Sequence, residues 1–322
     1  MSGGHGSYSF RPKLEGIREI ATIWSAELRR AVRSPRVIIL LGLYGLFSAL
    51  ALFLVGWITS RVSAAAAEQL NAQSAPEGAL DQAAANAKQA LLSGLFDKDA
   101  SLLEALSKLP LVIPVVFKIT LFFLPAYVAF LGFDQLSGEI EPKSIRYLAI
   151  RARRSSILVG KFLAQATVVV GMILVIDAVI FAYARLISPD FAFGLLAPSL
   201  LRFWIAAAVF SVAYVALTTL CSALFALPAV SLIVNFFALF VFWVIQAVGS
   251  YLQDAAAMQA AAAGEEPSRP VLALVRFLSP SAYSTDLLHP EWARFGIGIG
   301  AYAAFSAAFL VLGWAILRAR DV

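Results

Sequence analysis

Six long apolar blocks constrain the fold of this chain more than any other feature of its sequence. Each block has about twenty residues or more, the length that an α-helix needs to cross roughly 30 Å of hydrocarbon. Because 61% of the residues are hydrophobic and only 14% are charged, a water-soluble fold would expose large apolar patches. The sequence therefore predicts an all-α integral membrane protein with six transmembrane helices, at about residues 37–59, 111–133, 157–184, 200–226, 228–250 and 295–317.

Basic residues are distributed unequally between the two sides of the predicted bundle. Six crossings place both termini on one side. The tail before the first span, the segment between the second and third spans, and the residues after the last span hold 14 Lys and Arg residues, against nine on the other side. Since Lys and Arg in short segments favour the cytoplasmic side, we expect both termini in the cytoplasm. Residues 1–36 then form a cytoplasmic tail, and residues 37–322 form the transmembrane domain.

The tail carries an amphipathic pattern ahead of the first span. Its apolar residues, Ile20 and Trp24 among them, recur at three- and four-residue spacing, while Arg29 and Arg30 belong to a basic polar face. This pattern predicts an interfacial helix that lies along the inner headgroup surface. A helix packed on a soluble partner would show the same pattern. Pro35 is expected to end the helix, so that the chain can turn into the membrane.

Two long connections, residues 60–110 and 251–294, fall on the opposite, outer side. Alanine-rich stretches at residues 64–70, 79–92 and 255–263 have helical patterns, and Pro76 and Gly78 separate the first two. We expect these outer loops to build a small external cap. The alternative is a pair of solvated loops.

Known catalytic signatures are not found in the sequence. Gly160 and Lys161 resemble the end of a phosphate-binding loop, but a Ser stands five residues before that Gly and a Phe follows the Lys. The two histidines, His5 and His289, are too few for a His-based zinc site or a Ser-His pair within the membrane. Cys221 is the single cysteine, so no intrachain disulfide forms. We expect neither an enzyme nor a metal or cofactor site in this chain.

Ionisable residues inside spans are costly and need an explanation. Lys118 lies about seven residues into the second span from the outer side, and Asp177 lies about seven residues before the outer end of the third span. The two residues therefore reach a similar depth, and we hypothesise an intramembrane ion pair between them. A structural pair and a pair that lines a polar substrate path are both open. Lys161 is near the inner surface and is expected to snorkel there.

The segment between the second and third spans has the most specific pattern in the chain. An acidic cluster that contains Glu139 is followed at once by a short, basic, amphipathic stretch that contains Arg146. Lipid contact alone requires no such arrangement, so the pattern indicates a docking element. A solvated charge run without a partner is the alternative.

This segment resembles the permease subunits of type 2 ABC transporters. In that family an Asp, a Gly-Glu-x-Glu run, a Leu-rich short helix, a Ser-Arg element and a Gly-Lys pair recur at this place. Lys143 stands here at a customary Gly position, and Ala152 at a frequent Pro position. The resemblance covers nearly the whole chain. Its matching residues in the central segment are Asp134, Gly138, Glu139, Glu141, Ser144, Leu148, Arg154, Gly160 and Lys161.

The resemblance implies that the chain is the transmembrane half of an exporter in the cytoplasmic membrane of a prokaryote. A coupling helix between spans two and three would sit in a cleft of a separate ABC ATPase subunit, which binds ATP and Mg²⁺. Two permease chains, identical or related, would pair with two ATPases. A nucleic-acid partner is not expected. The residues implied to contact the ATPase or brace the coupling segment are Asp134, Gly138, Glu139, Glu141, Arg146 and Arg154.

Two other classes of membrane protein fit the composition. A secondary transporter driven by an ion gradient would place its polar groups near the midplane, whereas Lys118 and Asp177 are expected nearer the outer surface. A noncatalytic membrane scaffold would use its long outer loops to bind a partner. The sequence does not identify the transported substrate.

Overall fold

The chain folds as a helical bundle in the computed structural model, which describes residues 12–73, 79–96, 99–187, 193–263 and 271–320. The described residues contain helices and no strand, so the predicted all-α class is confirmed. The α-helices are α1 (Pro12–Val32), α2 (Pro35–Gln73), α3 (Ala79–Leu95), α4 (Ala100–Ser107), α5 (Val112–Gly132), α6 (Ser137–Ile140), α7 (Ile145–Arg151), α8 (Arg154–Ile187), α9 (Phe193–Leu224), α10 (Pro228–Ala263) and α11 (Trp292–Ala319).

Six of these helices are long and apolar enough to cross a membrane, as the sequence predicts. The candidate spans are Pro35–Leu54, Val112–Ile140, Arg154–Tyr183, Ala197–Leu224, Pro228–Ala260 and Trp292–Ala319. The helices themselves continue beyond the apolar blocks. The predicted stretches at residues 64–70 and 255–263 are continuations of α2 and α10 rather than separate helices.

Helix α9 forms the centre of the bundle, together with α5. Small side chains such as Ala206, Ala213 and Ala216 on α9 are fully buried, so that neighbouring backbones can approach closely. By contrast, only 18% of the first span and 11% of the fifth are buried within the chain. These two helices present most of their apolar surface outward.

Prolines mark the start of two spanning helices. Pro35 opens α2 and Pro228 opens α10, where the missing N–H group costs no intrahelical hydrogen bond. Helix α1 ends at Val32, so the predicted break before the first span is confirmed. We call the end of the bundle that holds α1 and the last turn of α11 the proximal end, and the opposite end the distal end.

The two long connections pack against the distal end of the bundle. They contribute α3, α4 and three 3₁₀ segments, Val271–Leu278, Pro280–Tyr283 and Asp286–Leu288. Leu92, Leu102 and Leu287 are almost fully buried in the same apolar core as the spanning helices. These described parts therefore form a packed cap. The separation at Pro76 and Gly78 lies outside the described residues, as does His5.

Asp99 joins the two halves of this cap. Its Oδ1 accepts hydrogen bonds from the Ser101 backbone N (3.1 Å) and from Ser101 Oγ (2.7 Å), and its Oδ2 pairs with Arg294 Nη1 at 3.0 Å. His289 Nε2 is 3.3 Å from the same Oδ2. The hydrogen bonds from Ser101, followed by the interaction with His289, lower the pKa of Asp99 to about 2.

Candidate coupling site

The segment between α5 and α8 forms two short helices at the proximal end. Helix α6 and helix α7 are joined at Lys143, which adopts a left-handed backbone conformation with φ 59°. This conformation is comfortable for glycine and strained for a residue with a Cβ. The customary glycine of the family thus falls at the position where the turn geometry favours one. In this chain Lys143 occupies the position in a strained conformation.

Helix α6 is tied to the end of α9 by a buried serine. Ser222 Oγ accepts hydrogen bonds from the backbone N–H groups of Leu136 (2.8 Å) and Ser137 (3.0 Å), which begin α6 and lack partners within it. Ser222 and the two residues that donate to it are buried. The start of the segment that contains α6 and α7 is thus fixed to the central helix of the bundle.

Lys161 on α8 forms a buried charge cluster with two carboxylates. Its Nζ donates to Glu139 Oε1 of α6 at 2.7 Å and to Glu27 Oε1 of α1 at 2.6 Å. The lysine side chain is only 3% exposed. The expectation that Lys161 snorkels to the surface is therefore wrong, because two carboxylates neutralise the ammonium where it lies. Three helices, α1, α6 and α8, meet at this one group.

Gly160 allows α1 to approach α8 at the same level. A Cβ at this position would lie 2.8 Å from Ile23 Cγ2 and 3.2 Å from the Ile20 carbonyl oxygen, so no larger residue fits without displacing α1. Gly138 differs, because a Cβ there would meet Asp134 Cβ at an ordinary 3.4 Å. Space thus requires a glycine at the Gly-Lys pair and does not require one in α6.

Arg154 joins the start of α8 to the end of α11. Its Nη1 donates to the carbonyl oxygens of Leu317 (2.9 Å), Arg318 (2.9 Å) and Arg320 (2.8 Å). The last carbonyls of a helix have no intrahelical partner, and a guanidinium satisfies several of them at once. The last helix therefore ends on the first residue of the third span.

Asp134 braces the beginning of the segment against the first span. Its carboxylate forms an ion pair with Arg36 in the first turn of α2. The Arg36 guanidinium also lies over the Phe133 ring, 5.5 Å from its centroid. This contact ties the end of α5 to the turn between α1 and α2.

The remaining predicted residues of the segment point outward. Glu141 and Arg146 are exposed. Beside them, Tyr147 and Ile150 on α7 are 77% and 82% exposed, which is unusual for large side chains outside a lipid-facing span. Helix α7 therefore presents a mixed basic and apolar face on a segment whose other side is firmly attached.

One comparison with known proteins decides the family. A family model described as ABC-2 family transporter protein matches residues 21–318. The chain belongs to this family. The match is consistent with the permease subunit of a type 2 ABC transporter, and it covers the six candidate spans except for Ala319, the last residue of the sixth. No curated protein matches the chain.

Helix α1 of this permease packs along α8. Trp24 Nε1 donates to Thr167 Oγ1 at 3.1 Å, and Glu19 Oε2 accepts from the Arg153 backbone N at 3.2 Å. A hydrogen bond from Ser156 and this backbone bond lower the pKa of Glu19. Arg29 and Arg30 are exposed near the end of α1. The predicted basic face therefore remains free of the bundle while the opposite face is docked.

The permease places the two intramembrane charges on the neighbouring helices that the sequence indicates. Lys118 on α5 has its Nζ 5.4 Å from the centroid of the Phe96 ring. Asp177 on α8 is buried, and its Oδ2 has no hydrogen-bond partner in the described part of the chain. The ion pair between them stays a prediction.

Sequence reasoning missed three residues that hold the site together. Glu27 and Arg36 pair with Lys161 and Asp134, and Ser222 fixes the start of α6, yet none of the three belongs to a recognisable motif. Ser222 lies in an apolar span with Thr218 and Thr219, and small polar residues within such a helix are a signal of interhelical hydrogen bonds. Glu27 and Arg36 give no comparable signal, because Glu27 depends on how α1 packs on α8, and Arg36 on how α2 packs against the end of α5.

Proposed function

We propose that this ABC transporter permease is the membrane half of an ATP-driven exporter, and that helix α7 docks on a separate ABC ATPase subunit. ABC-2 family permeases generally work with such a partner. The observation that carries the proposal is the exposed face of α7, which has Tyr147 and Ile150 at its centre. Apolar and aromatic anchors flanked by charges are the usual composition of a binding hot spot.

The contacts of the segment suggest how force would pass from the ATPase to the spans. Arg146 and Glu141 are exposed and serve as partner contacts in this proposal. Asp134, Glu139 and Arg154 are already engaged with the bundle, and they serve as braces. A push on α7 would thus reach the first, third and last spans through different ion pairs and hydrogen bonds. ATP and Mg²⁺ would bind to the ATPase alone.

The proposed orientation places the proximal end in the cytoplasm. The tail, the coupling segment and the last residues carry the basic excess, which favours this side of a prokaryotic inner membrane. In this orientation the exposed Arg29 and Arg30 face the anionic inner headgroups, as expected of an interfacial helix. Substrate would leave on the side of the packed cap.

A second permease chain is part of the proposal. The first and fifth spans bury little of their surface within one chain, and large side chains such as Phe237, Phe240 and Trp243 on α10 are exposed. Pairing of these helices between two chains would cover part of this surface. Crosslinking of cysteines introduced at positions 237 and 240 would test the arrangement, and exclusive intrachain products would contradict it.

The docking proposal is tested by charge introduction on α7. We expect Ile150→Asp, coexpressed with its partner ABC ATPase, to lose ATPase copurification and permease-stimulated ATP hydrolysis while keeping its thermal unfolding midpoint. The matched control is Val271→Asp, because Val271 is 81% exposed at the distal end. This variant should keep both activities. Unchanged copurification with Ile150→Asp would refute docking through α7.

The braces are tested separately. The double variant Glu139→Ala with Arg154→Ala should still expose the α7 face to the ATPase. It should pass less of the ATPase movement to the spans, so transport should fall more than ATPase association. Intact transport in this variant would contradict the proposed path of force.

Transport direction is tested with inverted vesicles, in which an exporter accumulates substrate inside on addition of ATP.

A further inference from the structure

A cavity of about 410 Å³ lies at the proximal end, between the α1–α2 turn, the end of α5, helix α6 and residues 161–168 of α8. Its volume falls within the range of about 300–1,000 Å³ that is usual for small-molecule sites. Spanning residues such as Leu131 and Val168 form part of its wall, so the cavity borders the apolar layer. Its charged lining residues are Glu27, Arg30, Arg36, Asp134, Glu139 and Lys161.

Two residues that line this cavity each carry a buried acceptor atom with no hydrogen-bond partner in the described part of the chain: Glu139 Oε2 and Gln165 Oε1. Gln165 is 7% exposed, and its Nε2 donates to the Val128 carbonyl oxygen at 3.3 Å, which fixes the direction of the amide. A buried acceptor without a donor is costly. The cavity therefore calls for a group that donates N–H or O–H bonds.

The inner part of the cavity, its floor, is formed by the cluster of Glu27, Glu139 and Lys161, and its charge favours a cationic group. Lys161 contributes one positive charge to the cluster, and Glu27 and Glu139 contribute two negative charges. Asp134 is already paired with Arg36. These pairings leave one negative charge at the cluster, and Arg30, which also lines the cavity, carries the balancing positive charge. Among the described residues, no group of carboxylates, histidines or cysteines is arranged to hold a metal ion.

The rim of the cavity has the opposite character. Arg30 is exposed, and the Arg36 side chain is 54% exposed. Two guanidinium groups at an opening next to the membrane surface suit a phosphate group. A ligand with a primary ammonium and a phosphate a few bonds apart would satisfy the floor and the rim together.

We propose that this cavity binds the phosphoethanolamine headgroup of a bilayer phospholipid, with the ammonium at Glu139 and Gln165 and the phosphate at Arg30 and Arg36. The apolar wall favours a lipid over a soluble molecule, because acyl chains can continue along the spans. The bound lipid would stabilise the contact between α1 and α8 that also holds the coupling segment. The proposal does not depend on which substrate the permease transports.

The test compares lipids that differ only in N–H donors. The purified full-length permease is incubated with an equimolar mixture of phosphatidylethanolamine and phosphatidylcholine of the same acyl chains, and retained lipid is measured by native mass spectrometry. The quaternary ammonium of phosphatidylcholine has no N–H to donate. We expect about a tenfold preference for phosphatidylethanolamine, the effect of one hydrogen bond to a charged acceptor. Equal retention, as for a cavity filled by water, would overturn the proposal.

Two further arms locate the site and the source of the headgroup. Gln165→Leu should reduce the preference severalfold, whereas Gln253→Leu, the same change at the distal end, should leave it unchanged. A folded Gln165→Leu variant that keeps the full preference for phosphatidylethanolamine would overturn the assignment of the site to this cavity. If this variant does not fold, the comparison of the two lipids on the unsubstituted permease decides the proposal. Competition by glycerophosphoethanolamine as strong as that by the whole lipid would overturn the bilayer source.

Discussion

Replacing Lys161 by methionine should loosen α1 from the bundle. Methionine keeps the length and the apolar contacts of the lysine stem and removes its charge. The substitution leaves Glu27 and Glu139 side by side without their cation, although their side chains are only 25% and 15% exposed. Like charges in such surroundings repel each other, and neither carboxylate can be fully hydrated in place.

The expected magnitude follows from this burial. Removing one partner of a buried ion pair costs about 3–5 kcal/mol. Because Glu27 is partly exposed and can turn toward water when α1 separates, we take the lower value of about 3 kcal/mol for the opening of α1. A change of 1.4 kcal/mol corresponds to a factor of ten, so the population of the open form should rise roughly 100-fold.

Hydrogen–deuterium exchange of residues 17–31 measures this opening directly. Amides in α1 should exchange about 100-fold faster in Lys161→Met, since exchange in a docked helix requires local opening. The matched control is Lys108→Met, which removes the pair with Glu104, whose side chains are 63% and 71% exposed. An exposed pair contributes less than about 1 kcal/mol, so this control should leave α1 unchanged.

A charge-neutral variant separates electrostatics from packing. Adding Glu27→Gln and Glu139→Gln to Lys161→Met removes all three charges together and should bring exchange of α1 back to within about tenfold of the unsubstituted permease. An increase of less than threefold in Lys161→Met, or no recovery in the neutral variant, would refute the assignment of the cluster as the attachment of α1.

Three further predictions follow from single contacts. Arg154→Met removes the Nη1 group that donates to three carbonyl oxygens, so exchange of residues 314–320 should rise by a factor equivalent to about 1–2 kcal/mol; an unchanged last turn would contradict this. Lys143→Gly should raise unfolding stability by about 0.5–1 kcal/mol, since relief of left-handed strain exceeds the added chain entropy; a lower unfolding midpoint would refute the strain. Asp99 has its pKa lowered to about 2 from 3.8. Its contribution to stability is therefore complete above about pH 4 and is lost as the pH falls toward 2, and Asp99→Asn should remove this part of the pH dependence of unfolding.

The spanning helices could be predicted from the sequence because their cause is local. A block of about twenty apolar residues has to cross the bilayer as a helix, whatever its neighbours are. The ends of the helices depend on contacts that the pattern does not contain. Helix α10 continues to Ala263 because its alanine-rich end is a good helix former, so the fifth span and the outer helical stretch are one element.

The site could be predicted only in outline. The segment itself was evident from its charges, but the partners of those charges come from distant parts of the chain: Glu27 lies 134 residues before Lys161, and Leu317 lies 163 residues after Arg154. Such pairs depend on how helices pack, and periodicity within one helix gives no information on them. The prediction that Lys161 reaches the surface failed for this reason.

In the proposed coupling mechanism, the contacts divide the segment of α6 and α7 into two classes of residue. Glu139 and Arg154 are held by the bundle, so their substitution should disturb stability and transport together. The side chains of Arg146 and Ile150 are exposed, so their substitution should weaken partner binding without changing the stability of the permease. A rigid lever needs both classes, because a face that moved independently of the spans would bind the ATPase without transmitting force. Lys161 makes the attachment rigid, since it fixes α6 to the third span and to α1.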